Sequence, residues 1–240
     1  MQDFIAVLDF GSQYAHLIAK RIRHLGAYTK IFSPSVNEKL LRKAKGIILS
    51  GGPSSVYSSD IPSYNPKLLA SDLPILGLCY GHQLIAKQFG GTITNTGKGE
   101  FGKAVLEQTS DFPLWQNVSF PNRVWMSHQD SVTKCPPDFE VTGVTDSGCV
   151  AAMKHRNRPI YTLQFHPEVK DSEQGQIMLE NFVNTCDVSS RWSMENFIEE
   201  TTERLQKEVG GRKVLMFISG GVDSSVAFAL LDRVLGRDQM

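Results

Sequence analysis

The stretch "LPILGLCYGHQLIAKQFGG", residues 73–91, decides the fold. Its first six residues are an apolar run of the length and composition of a strand buried on both faces. A helix is expected directly behind it, from about Tyr80 to Phe89, closed by Gly90 and Gly91. Strand and helix meet at Gly77-x-Cys79-x-Gly81, the cysteine form of a nucleophile elbow. The glycines are expected to permit the sharp turn, and the positive end of a helix favours a thiolate over a thiol. A buried structural cysteine is the competing reading, since free cysteines prefer the interior.

The same grammar extends on both sides. "FIAVLDF" (4–10) is strand-like, and "QYAHLIAKRIRHLG" (13–26) puts Leu17, Ile18, Ile22 and Leu25 on one helical face before a glycine. "KGIILSGGP" (45–53) is a further strand and glycine turn. Apolar strands separated by helical patterns predict an α/β fold: an open, mostly parallel sheet with helices on both faces. Between about residues 93 and 165 the pattern changes to closely spaced strands, "GKAVLEQ", "RVWMSHQ", "FEVTGVT", "CVAAMKH" and "PIYTLQF", a hairpin-rich insertion expected to extend one sheet edge. After Cys186 a short polar segment leads to "SMENFIEETTERLQKEVGG", a helix with a serine cap, and then to an expected strand, "KVLMFIS", and the loop "SGGVDSS" (219–225). The organisation expected is therefore a first domain over 1–188 and a truncated second α/β unit over 189–240.

Bulk composition excludes several classes. The 240 residues carry 25 basic and 25 acidic side chains, so the formal net charge is zero and nothing favours a nucleic-acid partner. The first residues lack the basic start of a signal peptide and no apolar run approaches a bilayer span, which points to a cytoplasmic protein with no membrane partner. Cys79, Cys135, Cys149 and Cys186 are far apart without C-x-x-C pairing, so neither a zinc site nor a disulfide framework is expected.

A cysteine that attacks an amide needs a partner to protonate the leaving group. "LQFHPEV" (163–169) supplies one: His166, held extended before a proline, and Glu168, two residues on, can project to the same side. A carboxylate there fixes the imidazole tautomer and stabilises its charged form. His16, His24 and His155 have no such setting and read as surface or hydrogen-bonded residues. "LSGGPSS" (49–55) follows a strand with two glycines, a geometry that can leave a backbone N–H pointing at a developing oxyanion.

Carried by "LSGGP", "GLCYGHQ" and "LQFHPEV" in this order and spacing, residues 4 to 186 closely resemble the class I glutamine amidotransferases. The resemblance implies that Cys79 attacks the side-chain amide of glutamine. It further implies that the Gly52 and Tyr80 N–H groups form the oxyanion hole, and that His166, oriented by Glu168, protonates departing ammonia. Gln83 and the "SHQD" segment, with Ser127, His128 and Gln129, match the places that hold the glutamine. No cofactor or metal is implied for that step. "SGGVDSS", residues Ser219, Gly220, Gly221, Val222, Asp223, Ser224 and Ser225, is similar to the ATP-binding loop of pyrophosphatase domains that activate a carbonyl oxygen by adenylation. The pairing of these modules implies a complete enzyme that uses ATP and magnesium to aminate xanthosine 5′-monophosphate, as a homodimer. Only fifteen residues follow Ser225, so this chain is expected to hold the start of the ATP domain and not to complete that reaction alone. The alternatives are an amidotransferase subunit of another synthetase, a catalytically silent regulatory protein on the same fold, or a cysteine hydrolase of other amides.

Overall fold

The computed structural model describes residues 3–53, 55–58, 62–188 and 192–240. The chain forms two compact units, Met1–Arg191 and Trp192–Met240. The expected domain start at residue 189 lies outside the described residues.

The first unit runs β1 (Phe4–Leu8), α1 (Ala15–His24), β2 (Thr29–Phe32), β3 (Ala44–Leu49), β4 (Ile75–Leu78), α2 (Tyr80–Gln88), β5 (Thr92–Gln108), β6 (Asn122–Lys134), β7 (Phe139–Thr145), β8 (Val150–His155), β9 (Ile160–Leu163) and α3 (Gly175–Thr185). The strands form one sheet in the order β2-β1-β3-β4-β9-β8-β7-β5-β6. From β2 to β9 the pairings are parallel. From β9 to β6 they are antiparallel. The sheet is thus mixed, and less parallel than expected, because the hairpin insertion adds four strands to the edge that β9 would otherwise form.

Strand alternation explains the two-sided core. Ile5 and Val7 of β1 face one side, where they pack with Ile18 and Ile22 of α1 and Met178, Leu179 and Phe182 of α3. Phe4, Ala6 and Leu8 face the other, with Leu84, Ile85 and Ala86 of α2. Each fully buried Leu or Ile contributes about 1.5–3 kcal/mol relative to exposure, so covering both faces is what stabilises the parallel half. Helix α3 has no counterpart in the sequence reading; its apolar residues fall within a single short stretch, 177–183, behind the polar run "KDSEQGQ".

In the second unit, α4 (Met194–Val209) begins at Ser193, whose Oγ accepts a 3.1 Å bond from the Asn196 N–H. Helix α5 (Val222–Leu235) begins at Gly221. The expected strand over residues 213–219 is not formed. A strand needs a ladder partner, and among the described residues none lies alongside: Val214 N–H donates to the Gln239 carbonyl, while Leu215 and Phe217 are 83% and 87% exposed. No helix among the described residues is long and apolar enough to cross a membrane.

Candidate active site

Strands β3, β4 and β9 lie side by side, with Leu49 opposite Gly77 and Leu78 opposite Leu163, so the three expected motifs leave the sheet at neighbouring carboxyl ends. At the end of β4, Cys79 has φ 51° and ψ −101°, a strained conformation for a residue with a side chain. The flanking glycines do a different job from the one expected. Neither takes a positive φ. A methyl group on Gly77 would come within 2.6 Å of the Gly81 carbonyl oxygen, and one on Gly81 within 2.6 Å of the Leu49 carbonyl oxygen. They let α2 press against β4 and β3, while the cysteine itself carries the strain.

Beyond β9, His166 is only 4% exposed and its Nδ1 lies 2.8 Å from Glu168 Oε1. Hydrogen bonds anchor the His166 backbone on both sides. His166 N–H donates to the Trp125 carbonyl at 3.0 Å, and Ser172 Oγ donates to the His166 carbonyl at 2.6 Å while accepting from Trp125 N–H. Arg21 Nε donates to the Glu168 carbonyl at 2.9 Å, tying α1 to the same turn. Burial disfavours a charged imidazole, but the Glu168 carboxylate and the Cys79 sulfur, which also interacts with the ring, outweigh it and raise the His166 pKa well above 6.5.

Because the folded value is raised, the pair contributes stability that is fully present below the unfolded value of about 6.5 and is lost as pH rises through the folded one. Melting temperature recorded from about pH 6 to about pH 10 should show this alkaline decline in the wild type, and a smaller one in Glu168→Gln.

Gly175, the first residue of α3, is equally constrained, since a methyl group there would collide with the Pro167 carbonyl oxygen. Pro167 sits between His166 and Glu168. We expect Gly175→Ala to destabilise the protein by about 2–3 kcal/mol in denaturant titration and to lower any activity that depends on this turn.

The Gly51–Gly52 backbone after β3 lies against both side chains. A methyl group on Gly51 would stand 3.3 Å from His166 Cε1 and 3.7 Å from Cys79 Cβ, and one on Gly52 3.3 Å from Tyr80 Cγ. Among the described residues neither the Gly52 nor the Tyr80 N–H has a hydrogen-bond acceptor. Two unengaged donors beside a nucleophile form the arrangement that stabilises a developing oxyanion.

These groups open into a cavity of about 680 Å³ that Gln83, Ser127, His128 and Gln129 also line. Ser127 and Gln129 are exposed, and the Ser127 carbonyl lies 3.7 Å from Cys79 Sγ. Gln83 and His128 are buried with their side chains bonded within the protein. Gln83 Nε2 donates to the Asp130 carbonyl at 2.7 Å and to Gln164 Oε1 at 3.1 Å. His128 spans the Asp130 carbonyl at 3.0 Å and Glu100 Oε2 at 3.1 Å. Sequence reasoning did not reach Glu100, Arg21, Trp125 or Ser172, which come from separate elements with no motif of their own.

The second loop lies in the other unit. Gly220 has φ 81°, and Ser224 and Ser225 Oγ both donate to the Gly221 carbonyl. Among the described residues the N–H groups of Val222, Asp223 and Ser224, in the first turn of α5, have no acceptor.

A strained cysteine elbow, a His–Glu pair and two free N–H groups on an α/β sheet define a class, and comparison with known proteins agrees: the chain belongs to the class I glutamine amidotransferase family, whose model matches residues 6–186. Beyond that class, it is 47% identical over 237 residues to the glutamine-hydrolyzing GMP synthase of Fusobacterium nucleatum, covering 97% of this chain and 46% of that protein. It is 43% identical to the enzyme of the same name from Thermobifida fusca, covering 98% of this chain and 45% of the relative. The chain therefore spans about half the length of the curated relatives it matches. A solved structure from Thermoplasma acidophilum, of a protein described as a candidate GMP synthase subunit, superposes with a TM-score of 0.68 at 27% identity, covering 86% of this chain and 98% of the other.

Proposed function

We propose that this chain is the glutamine-hydrolysing part of a GMP synthase, with Cys79 as nucleophile, His166 as acid and base, and Glu168 as its orienter. The observation that carries the reading is the buried 2.8 Å His166–Glu168 pair beside a cysteine held at φ 51°. The Cys79 sulfur attacks the side-chain amide carbon of glutamine, and the negative oxygen that forms is received by the Gly52 and Tyr80 N–H groups. His166 gives a proton to the departing nitrogen, so ammonia leaves and a γ-glutamyl thioester remains. Water then attacks the thioester, His166 takes its proton, and glutamate leaves with the sulfur restored. Ser127 and Gln129, exposed on the cavity rim, are placed to contact the glutamine, with Gln83 and His128 behind them.

In the complete enzyme the ammonia would displace AMP from adenylated xanthosine 5′-monophosphate to give GMP. The second unit fits the start of the ATP site. The free N–H groups of Val222, Asp223 and Ser224 at the head of a 14-residue helix suit a phosphate. Asp223 is the single carboxylate of residues 219–225 and would be the loop's candidate to hold magnesium, the usual companion of ATP phosphates. Leu215, Phe217 and Ile218 are exposed apolar residues that the remainder of such a domain would cover. This reading makes the protein a cytoplasmic enzyme, homodimeric when complete, with small-molecule substrates and neither nucleic acid nor membrane as partner.

The test is made in the full-length protein. Cys79→Ala should abolish GMP formation from glutamine and leave GMP formation from added ammonia within about 3-fold of wild type, because only the ammonia source is removed. Loss of both, with the protein folded, would contradict the division of labour.

A further inference from the structure

Strands β5 and β6 carry the segment that lines the candidate glutamine cavity, and their ladder breaks there. Asn95 pairs with Asp130 and Glu100 with His128, so residues 96–99 of β5 stand opposite the single residue Gln129. Backbone pairing, which elsewhere fixes a strand, is interrupted at Gln129, two residues from Ser127, whose carbonyl lies 3.7 Å from Cys79 Sγ. The bulge backbone also crowds this segment: a methyl group on Gly99 would lie 2.5 Å from the His128 carbonyl oxygen.

A chain of side chains spans the gap. Glu100 Oε1 accepts from Thr145 Oγ1 at 2.8 Å and from Ser147 Oγ at 2.6 Å, which anchors the carboxylate to β7 and the turn behind it. Its Oε2 meets His128 Nε2 at 3.1 Å, and these two side chains are 13% and 2% exposed. His128 Nδ1 in turn meets the Asp130 carbonyl, the same oxygen that accepts from Gln83 of α2. Burial alone would raise the Glu100 pKa, but His128, Ser147 and Thr145 outweigh it and bring it down to about 2. The carboxylate therefore stays an acceptor across the working range.

From this geometry we infer that Glu100 is a positioning residue of the glutaminase: through His128 it holds the Ser127–Asp130 backbone at the distance from Cys79 that binds glutamine. The inference rests on the glutaminase reading above. Glu100 does not touch the reacting atoms. Removing it takes away the Nε2 partner of His128 and lets the backbone around the unladdered Gln129 move, which weakens substrate binding and spares the elbow.

In Glu100→Gln the side-chain oxygen can still accept from Thr145 and Ser147, while its NH₂ faces His128 Nε2. A neutral imidazole carrying its proton on Nδ1 accepts there and still donates to Asp130. The whole chain of bonds survives.

The test uses two alkylating probes, read at the Cys79 peptide by mass spectrometry. They are 6-diazo-5-oxo-L-norleucine, a glutamine analogue that loses N₂ when the sulfur attacks it, and iodoacetamide, which needs no glutamine site. For Glu100→Ala the analogue concentration giving half-maximal labelling rate should rise about 10-fold or more, with the iodoacetamide rate within about 2-fold of wild type. Glu100→Gln should stay within about 3-fold of wild type with both probes. An unchanged half-maximal concentration in Glu100→Ala overturns the inference, as does loss of reactivity toward both probes, which would mark a general folding role. Failure of the wild type to label saturably with the analogue would instead overturn the glutaminase reading, and this inference with it.

Discussion

Replacing Cys79 by alanine is expected to slow glutamine hydrolysis by about 100,000-fold, the scale on which nucleophile removal acts in triad enzymes. The geometry gives the reason. The residue is already held in a strained conformation at the end of β4, at the head of α2, with the Ser127 carbonyl 3.7 Å from its sulfur. No other described cysteine can substitute, because Cys135, Cys149 and Cys186 do not line this cavity. The substitution should leave the fold intact. Alanine must adopt the same positive φ, at no greater cost than cysteine, and the volume lost faces a cavity. Steady-state ammonia release and a denaturant titration, run on the same preparation, separate the two effects.

Replacing His166 by alanine is expected to lower hydrolysis by about 10,000-fold or more and to destabilise the protein as well. The chemical loss is the proton donor for ammonia. The stability loss comes from Glu168, which is 1% exposed, with its Oε2 already lacking a partner among the described residues. Taking the imidazole from Oε1 leaves a buried carboxylate unpaired, a situation that costs about 3–5 kcal/mol. The double substitution His166→Ala with Glu168→Ala should therefore regain stability relative to His166→Ala without regaining activity. If the double variant were less stable than the single one, the buried-charge explanation would be wrong.

The parts of the site that were legible in the sequence are those built from local rules. The elbow could be read because a strand, a glycine-flanked cysteine and a helix are contiguous, and the His–Glu pair because its members are two residues apart. Even there the physical role of the glycines was misread, since close approach to Gly81 and Leu49 is a property of packing and not of the turn. Residues that meet only through sheet order were hidden. Glu100 reaches His128 because β5 pairs with β6, and Thr145 reaches Glu100 because β7 lies on the other side of β5. Nothing in spacing announces either contact. Helix α3 escaped because its buried set is short, and the missing strand at 213–219 because a continuous apolar run states a preference that only a neighbouring strand can satisfy.

In the proposed reaction Cys79 forms a covalent bond to the glutamyl group of glutamine. The most direct measurement is rapid acid quenching of the protein during turnover with glutamine, followed by mass analysis of the Cys79 peptide and assay of ammonia. We predict one γ-glutamyl group on Cys79, accumulating with a matching burst of ammonia, and neither in Cys79→Ala. Ammonia released with no adduct on Cys79, and undiminished in the variant, would mean that Cys79 is not the nucleophile.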